Sequence, residues 1–142
     1  MLDKIDHCKY TMLVGRVLIA WIYFYGGLNW LISLSPPVGA LEASGWPLPV
    51  LAAWIGLILK LGGSALLIVG YQTRIAALAL TVFTIGTAFG FHFPDGIASF
   101  WTDATFMKEL AMIGGLLMVA AAGPGALSLD AKCAAKKSAP AM

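Results

Sequence analysis

The sequence contains few charged residues. Asp, Glu, Lys and Arg make up only 11% of its 142 residues, whereas 60% are hydrophobic, and a typical soluble domain has about 25% charged residues. A small soluble domain leaves much of its surface in water and could not cover so much apolar area. The composition therefore argues against a soluble domain. The net charge of +2, with no basic patch between exposed aromatics, argues against nucleic-acid binding.

Cysteine is also scarce. The two cysteines, Cys8 and Cys133, lie near opposite ends of the chain, and neither belongs to a CxxC motif, a CxxCH motif or a His-rich cluster. These spacings do not favour a zinc site, an iron–sulfur cluster or covalently attached haem. No cofactor is evident from the motifs.

Long apolar segments separate the clusters of charge. A segment of about 20 apolar residues is long enough to cross the hydrocarbon core of a bilayer as an α-helix. The sequence contains four such segments, at residues 11–34, 48–70, 74–92 and 106–122. The predicted fold class is therefore all-α, an integral membrane four-helix bundle within residues 11–130.

The segments outside these helices are polar or rich in Pro and Gly. Residues 1–10 are predicted to be a polar tail and residues 131–142 a flexible basic tail. Residues 35–47 and 93–105 are predicted to be loops, because Pro and Gly do not favour a helix interior. Trp46, Phe100 and Trp101 in these loops suit the membrane interface.

The distribution of Lys and Arg predicts the orientation. Positive residues favour the cytoplasmic side of a membrane. Seven of the nine lie in the two terminal regions or in the turn between helices two and three, namely Lys4, Lys9, Arg16, Arg74, Lys132, Lys136 and Lys137. We therefore predict that the N-terminus, the C-terminus and this turn face the cytoplasm.

Two of the charged residues within the predicted helices, Lys60 and Glu109, stand out. Lys60 is near the middle of helix two, where an isolated cation costs at least about 2.5–3.5 kcal/mol, and Glu109 lies in the first turns of helix four. Small residues on the face of Lys60 indicate that it points into the bundle. We predict an ion pair between Lys60 and Glu109. It would serve either as a site for protons or anionic substrates or as a clamp between helices.

His92 lies at the end of helix three, roughly on the same face as Thr81 and Thr84. It is predicted to be either a proton relay or quinone partner, or an interfacial histidine bonded to water or backbone. The other histidine, His7, is predicted on the opposite side of the membrane. This separation excludes a bis-histidine haem within one chain.

Helix one is crowded with aromatic side chains. Tyr23, Tyr25 and Trp30 would wall an apolar cleft for a quinone or a lipid, or would simply pack in the core. Asn29 is predicted to make a hydrogen bond between helices. Gly62-Gly63, Gly114-Gly115 and the pair Gly86/Gly90 are predicted to let helices approach closely, within the bundle or in a homo-oligomer.

Several short motifs, in this order, resemble those of the DoxX family of membrane proteins. They are Gly15-Arg16-Val17-Leu18, Gly27-Leu28-Asn29-Trp30-Leu31, Lys60-Leu61-Gly62-Gly63, Gly70-Tyr71-Gln72-Thr73-Arg74, Phe91-His92-Phe93, residues 106–115 and residues 123–130. The resemblance covers roughly residues 13–130. It implies a four-helix, multi-pass protein of the bacterial inner membrane.

The resemblance also implies a link to membrane redox systems, since relatives include a subunit of a thiosulfate–quinone oxidoreductase. The predicted function is a small subunit or accessory protein of a quinone-linked oxidoreductase, with a redox protein as its partner and quinone as its only candidate cofactor. An accessory role is favoured over a stand-alone enzyme. The alternative is a membrane scaffold or transporter of small lipophilic molecules.

Overall fold

In a computed structural model, the chain is described at residues 2–33, 37–92 and 96–138, and for residues 2–8, 99 and 138 only the backbone is described. Within these ranges the protein is helical and has no strand. The helices are α1 (Leu2–Ile32), α2 (Val38–Ala43), α3 (Pro49–Val69), α4 (Thr73–Phe91), α5 (Ser99–Thr102), α6 (Ala104–Ala122) and α7 (Leu129–Ser138). A short 3₁₀ turn, Gly96–Ala98, precedes α5.

Four of these helices are long and apolar enough to cross a membrane, which confirms the predicted fold class. The apolar spans are Lys9–Ile32, Pro49–Val69, Thr73–Phe91 and Ala104–Ala122. The ends of the second, third and fourth spans lie within two residues of the predicted ends, which is the usual uncertainty of helix boundaries. Helix α1 begins at Leu2, nine residues before the start predicted for helix one. The end predicted for helix one, at residue 34, lies outside the described residues.

The segments predicted to be tails and loops contain more helix than expected. Helix α1 begins at Leu2, so the polar residues before the first span continue its backbone. Helix α7 occupies much of the segment predicted to be flexible, because the Ser128 hydroxyl accepts a hydrogen bond from the Ala131 N–H, as an N-cap does. The two predicted loops contain the short helices α2 and α5.

The core is small and the outer surface is apolar. The core contains Tyr23 and small or aliphatic side chains from α1, α3, α4 and α6. These side chains are Ala20, Leu67, Ala76, Ala77, Leu80 and Leu116. Large apolar side chains such as Leu18, Ile58 and Val82 remain about two-thirds exposed. Such a surface is stable only in lipid, where burying apolar area between helices brings no hydrophobic gain.

Polar groups join the segments at one end of the bundle. Arg16 is only 2% exposed, and its guanidinium donates to the carbonyls of Pro124 and Leu127, which follow α6. Asp130 accepts hydrogen bonds from the N–H groups of Gln72 and Thr73, at 2.8 and 3.0 Å. We refer to Arg16, Asp130 and these partners as the end clamp, because they tie α1, the turn between α3 and α4, and the segment before α7 together.

Candidate functional site

A cavity of about 930 Å³ lies within the bundle. All four spanning helices contribute side chains to it, and residues of the α2 segment complete its wall. Its walls are mostly apolar and aromatic, and its polar side chains are few. Six of the seven candidate site residues line it, namely Lys60, Glu109, His92, Tyr23, Tyr25 and Trp30.

Lys60 enters this cavity from an irregular part of α3. Residues Leu59–Gly63 form one π-helical turn, and the Ser64 hydroxyl donates to the Lys60 carbonyl. Such turns are rare in helices and frequent at functional sites. Gly26 of α1 lies beside the ammonium, because a Cβ atom at this glycine would lie 3.4 Å from Nζ.

Aromatic rings surround the Lys60 ammonium. Nζ lies 3.8 Å from the ring centroid of Trp30 and 5.8 Å from that of Phe83. A cation over an aromatic face is stabilised by about 2 kcal/mol or more when water is excluded. The rings therefore offset part of the cost of placing this charge within the membrane.

Glu109 enters the cavity from α6 and is held by α4. The Thr87 hydroxyl donates to Oε1 at 3.2 Å, whereas Oε2 is buried and has no hydrogen-bond partner among the described residues. The predicted ion pair is not formed as a direct contact, since no Lys60–Glu109 contact within 4.0 Å occurs in the described part of the chain. The physical reason is that each group binds another neighbour.

Tyr23 is buried, with 3% of its surface exposed. Its hydroxyl lies 2.6 Å from the Thr84 hydroxyl. Thr84 donates its own proton to the Leu80 carbonyl, so the proton between the two hydroxyls comes from Tyr23. Tyr25 lines the cavity only at its edge, because 58% of its surface is exposed.

Asn29 does not belong to the cavity. Its side chain is exposed, and no interhelix hydrogen bond of this side chain occurs among the described residues. The predicted bond is therefore wrong for this part of the chain. Asn29 lies near the end of α1, where its backbone carbonyl accepts from the Ser33 hydroxyl.

His92 and Asp103 join the end of α4 to the start of α6. His92 Nδ1 lies 3.5 Å from Asp103 Oδ2. Asp103 is the N-cap of α6, and its Oδ1 accepts from the N–H groups of Phe106 and Thr105 at 3.1 and 2.7 Å. The hydrogen bond from Phe106, followed by that from Thr105 and the nearby His92, holds the pKa of Asp103 below its ordinary value.

Gly86 and Gly90 of α4 were predicted to contact a neighbouring helix, but the side chain of Trp46 lies against them. Its indole stacks on Phe91, with 5.8 Å between ring centroids and an interplanar angle of 9°. A Cβ atom at Gly90 would lie 2.6 Å from this indole, and one at Gly86 would lie 3.6 Å from it. The two glycines of α4 therefore accommodate the indole ring of Trp46, which lines the cavity.

The sequence analysis missed three cavity residues, Phe83, Thr87 and Trp46 in its lining role. Thr87 had a usable signal, because Thr81, Thr84 and Thr87 recur every three residues of α4. Phe83 had none, since an aromatic residue in an apolar helix is equally compatible with lipid exposure. Metal ligands were not expected, and the described residues hold no cluster of three His, Cys, Asp or Glu side chains.

The arrangement suits a small apolar molecule with a polar group. Aromatic walls offer stacking surfaces, the Lys60 ammonium offers hydrogen-bond donors, and Glu109 Oε2 offers an acceptor. Cavities of about 300–1,000 Å³ with few polar groups are typical of small-molecule sites. Fold and cavity together define a multi-pass helical membrane protein with a candidate ligand site inside its bundle.

Comparison with known proteins identifies the family. The DoxX family model matches residues 11–93. The inner membrane protein YphA of Escherichia coli (strain K12) is 31% identical over 84% of this chain and 87% of its own length. The inner membrane protein YqjF of the same strain is 35% identical, over 84% and 88%. The chain belongs to the DoxX family and is a multi-pass inner-membrane protein.

A more distant similarity covers part of the chain. The ER-derived vesicles protein ERV29 of Saccharomyces cerevisiae (strain ATCC 204508 / S288c) is 32% identical over 56% of this chain and 27% of its own length. No solved structure matches the chain.

Proposed function

We propose that this protein binds a membrane quinone in the bundle cavity and acts as an accessory subunit of a redox system in the inner membrane. The observation that carries the proposal is the pair of charged groups, Lys60 and Glu109, which line one cavity with aromatic walls but do not contact each other. Charged side chains within membrane spans are costly and usually functional.

The cavity residues fit the chemistry of a quinone ring. Such a ring is flat and apolar, and its carbonyl oxygens accept hydrogen bonds. Trp30 and Phe83 offer flat apolar surfaces, and the Lys60 ammonium between them has three protons to donate. Within the described residues, these protons have no hydrogen-bond acceptor.

A bound quinone would supply two-electron, two-proton redox chemistry. The chain itself would bind and orient the ring: Lys60 donates to an oxygen of the ring, and Thr87 holds the carboxylate of Glu109 in place. The Tyr23–Thr84 hydrogen bond fixes another part of the cavity wall. Trp46 and the α2 segment would limit the access of water to the ring.

The accessory role rests on the family resemblance to membrane redox systems. We therefore propose a redox protein as partner, which exchanges electrons with the quinone held in the cavity. The tagged protein, extracted in a mild detergent, is expected to enrich subunits of one oxidoreductase, as identified by mass spectrometry. Enrichment equal to that of an unrelated four-helix membrane protein would argue against the accessory role.

Quinone binding is tested by tryptophan fluorescence in nanodiscs. The protein has five tryptophans, of which Trp30 and Trp46 line the cavity. A cavity reporter retains these two and replaces Trp21, Trp54 and Trp101, which are all at least half exposed, with phenylalanine. We expect a ubiquinone with a short tail to quench the reporter with a saturable curve.

The matched control retains Trp21, Trp54 and Trp101 and replaces the two cavity tryptophans with phenylalanine. Quinone dissolved in lipid is expected to quench this control without saturation. The substitution Lys60→Met in the cavity reporter is expected to weaken saturable quenching at least about tenfold, as for loss of one charge-assisted hydrogen bond. Identical, linear quenching of both reporters would refute quinone binding in the cavity.

A further inference from the structure

We infer that the cavity selects the hydroxyl-bearing, reduced form of the ring, a quinol, over the oxidised quinone. This inference rests on the proposed function, because it concerns the same cavity and names the form of the ligand that fits it best. It follows from the numbers of hydrogen-bond donors and acceptors that the cavity side chains leave unpaired.

The first unpaired group is an acceptor. The Thr87 hydroxyl lies 3.2 Å from Oε1 of Glu109, and Oε2 is buried without a partner in the described part of the chain. Buried polar atoms nearly always have a hydrogen-bond partner, and leaving one unpaired costs free energy. A ligand that donates a proton to Oε2 would remove this cost.

The second acceptor is the Tyr23 hydroxyl oxygen. Because Thr84 donates to the Leu80 carbonyl at 2.7 Å, Tyr23 must donate its proton to Thr84. The Tyr23 oxygen then has lone pairs but no proton to offer to a ligand. The Thr87 hydroxyl has no proton for a ligand either, since its single proton is shared between the Thr84 carbonyl at 3.1 Å and Glu109 Oε1 at 3.2 Å.

Lys60 is a complementary donor, and Lys108, which also lines the cavity, is a second ammonium. The Lys60 ammonium contacts the rings of Trp30 and Phe83, and no carboxylate lies within 4.0 Å of it among the described residues. If its proton moves to Glu109, the acid becomes the donor and the amine becomes the acceptor. In both protonation states the pair offers a donor and an acceptor to a ligand between them.

The two forms of the ring differ in what they offer to this pair. The oxygens of a quinone only accept, so a quinone would satisfy the donor and leave the acceptor unpaired. A quinol hydroxyl accepts and also donates, so it can satisfy both. The expected preference corresponds to one hydrogen bond with a charged group, which is about tenfold or more in affinity.

The test compares ligands that have the same short tail. They are the quinone, the quinol, its monomethyl ether with one hydroxyl, and its dimethyl ether with none. The two ethers do not exchange electrons, so they isolate hydrogen bonding from redox chemistry. Each tritiated ligand is bound separately to the full chain in nanodiscs, without oxygen, and partition into empty nanodiscs is subtracted.

We expect the quinol and the monomethyl ether to bind about tenfold more tightly than the quinone and the dimethyl ether. Glu109→Gln keeps the size of the side chain but removes its charge, and is expected to reduce the preference for the quinol over the quinone to about twofold. Glu42→Gln, at an exposed residue of α2, is the matched control and should leave this preference unchanged. Tyr23→Phe provides a second variant if Glu109→Gln does not fold, and should also reduce the preference.

The outcomes separate the inference from the function on which it rests. Equal affinity for all four ligands, or tighter binding of the quinone, would overturn the preference but leave quinone binding intact. Failure of every ligand to bind above empty nanodiscs would overturn both. A preference that survives Glu109→Gln and Tyr23→Phe unchanged would show that other groups select the ligand and would refute the assignment.

Discussion

Lys60 illustrates how a single charge is accommodated within a lipid-facing bundle. Its ammonium lies over Trp30 at 3.8 Å, beside Gly26. The interaction between an ion and a ring is less directional than a salt bridge and leaves the protons of the ammonium available. The residue is therefore stabilised in the bundle and still able to bind a ligand.

The contact between Lys60 and Trp30 predicts energetic coupling. We expect Trp30→Leu to destabilise the protein less when Lys60→Met is already present, with a coupling free energy of about 1–2 kcal/mol. Unfolding by SDS in mixed micelles measures all four members of the cycle. The control cycle combines Lys60→Met with Trp54→Leu, at an exposed tryptophan of the same helix. Coupling no larger than in the control would contradict the contact.

The end clamp depends on Asp130. Its two oxygens accept from three donors, because Oδ2 binds both the N–H and the hydroxyl of Thr73. We expect Asp130→Asn to reduce the free energy of unfolding by about 1–3 kcal/mol. An amide has one acceptor oxygen, so its NH₂ group must face either the Gln72 N–H or the two Thr73 donors, and the charge is lost in both cases. Glu42→Gln is again the control, and equal stability of the two variants would argue against the clamp.

The same carboxylate predicts a pH dependence. Partial burial raises the pKa of Asp130, but hydrogen bonds from Thr73 and Gln72 and the nearby Arg16 outweigh burial, so the pKa lies below its ordinary value of 3.8. Because the pKa is lower in the folded state, the ionised carboxylate of Asp130 contributes fully to the free energy of unfolding above pH 3.8. This contribution is lost as the pH falls further. The stability gap between the wild type and Asp130→Asn should therefore narrow below about pH 4. A constant gap would contradict this assignment.

At the scale of helices, glycines with the same sequence context have different roles. Gly63, Gly90 and Gly115 lie against Leu80, Trp46 and Ile19, respectively. Gly62 and Gly114 have no neighbour within 4 Å at the position of a Cβ atom. Close packing therefore applies to one glycine of Gly62-Gly63 and one of Gly114-Gly115, because neighbouring residues on a helix point in directions about 100° apart.

This difference predicts opposite effects of two alanine substitutions. Gly90→Ala should displace the rigid Trp46 ring from Phe91 and destabilise the protein by about 1–3 kcal/mol. Gly114→Ala should stabilise it by about 0.5–1 kcal/mol, because alanine favours a helix and meets open space there. Thermal unfolding in detergent measures both variants, and Trp46 emission should shift only in the first. Effects of equal sign would contradict the packing at Gly90.

At the scale of the whole molecule, the protein has a polar interior and a nonpolar exterior. Charged and hydroxyl side chains converge on the cavity and the end clamp, whereas large apolar side chains cover the lipid-facing surface. Such an arrangement satisfies the rule that polar groups within a membrane need internal partners. The orientation of the bundle in the membrane remains a prediction from the positive residues.

Cysteine labelling tests that orientation. Cys133 on α7 is exposed and lies at the end predicted to be cytoplasmic, whereas Ser44 is exposed at the opposite end. In intact spheroplasts, a maleimide that does not cross membranes should label Ser44→Cys in a background with Cys8→Ser and Cys133→Ser. It should label native Cys133 only after lysis. The reverse pattern would refute the prediction that both termini are cytoplasmic.

The sequence alone determined the number, position and type of the spanning helices. These features depend on local composition, because each helix satisfies its backbone hydrogen bonds internally and needs about 20 apolar residues to cross the bilayer. The ends of the second, third and fourth spans lie within two residues of the predicted ends, whereas α1 begins at Leu2. The sequence grouped Lys60 with Glu109 and placed Tyr23 in a separate aromatic cleft, whereas the structure has all three in one cavity.

Only the tertiary structure decided which of these groups contact one another. In a water-soluble bundle the polar face shows how each helix is rotated, but here lipid-facing and core-facing residues are both apolar. Sequence patterns therefore could not indicate that Lys60 lies over Trp30 and that Trp46 lies on Gly90. Nor could they indicate that Arg16 binds the chain after α6. These contacts depend on helix rotation and on distances between helices, which packing alone determines.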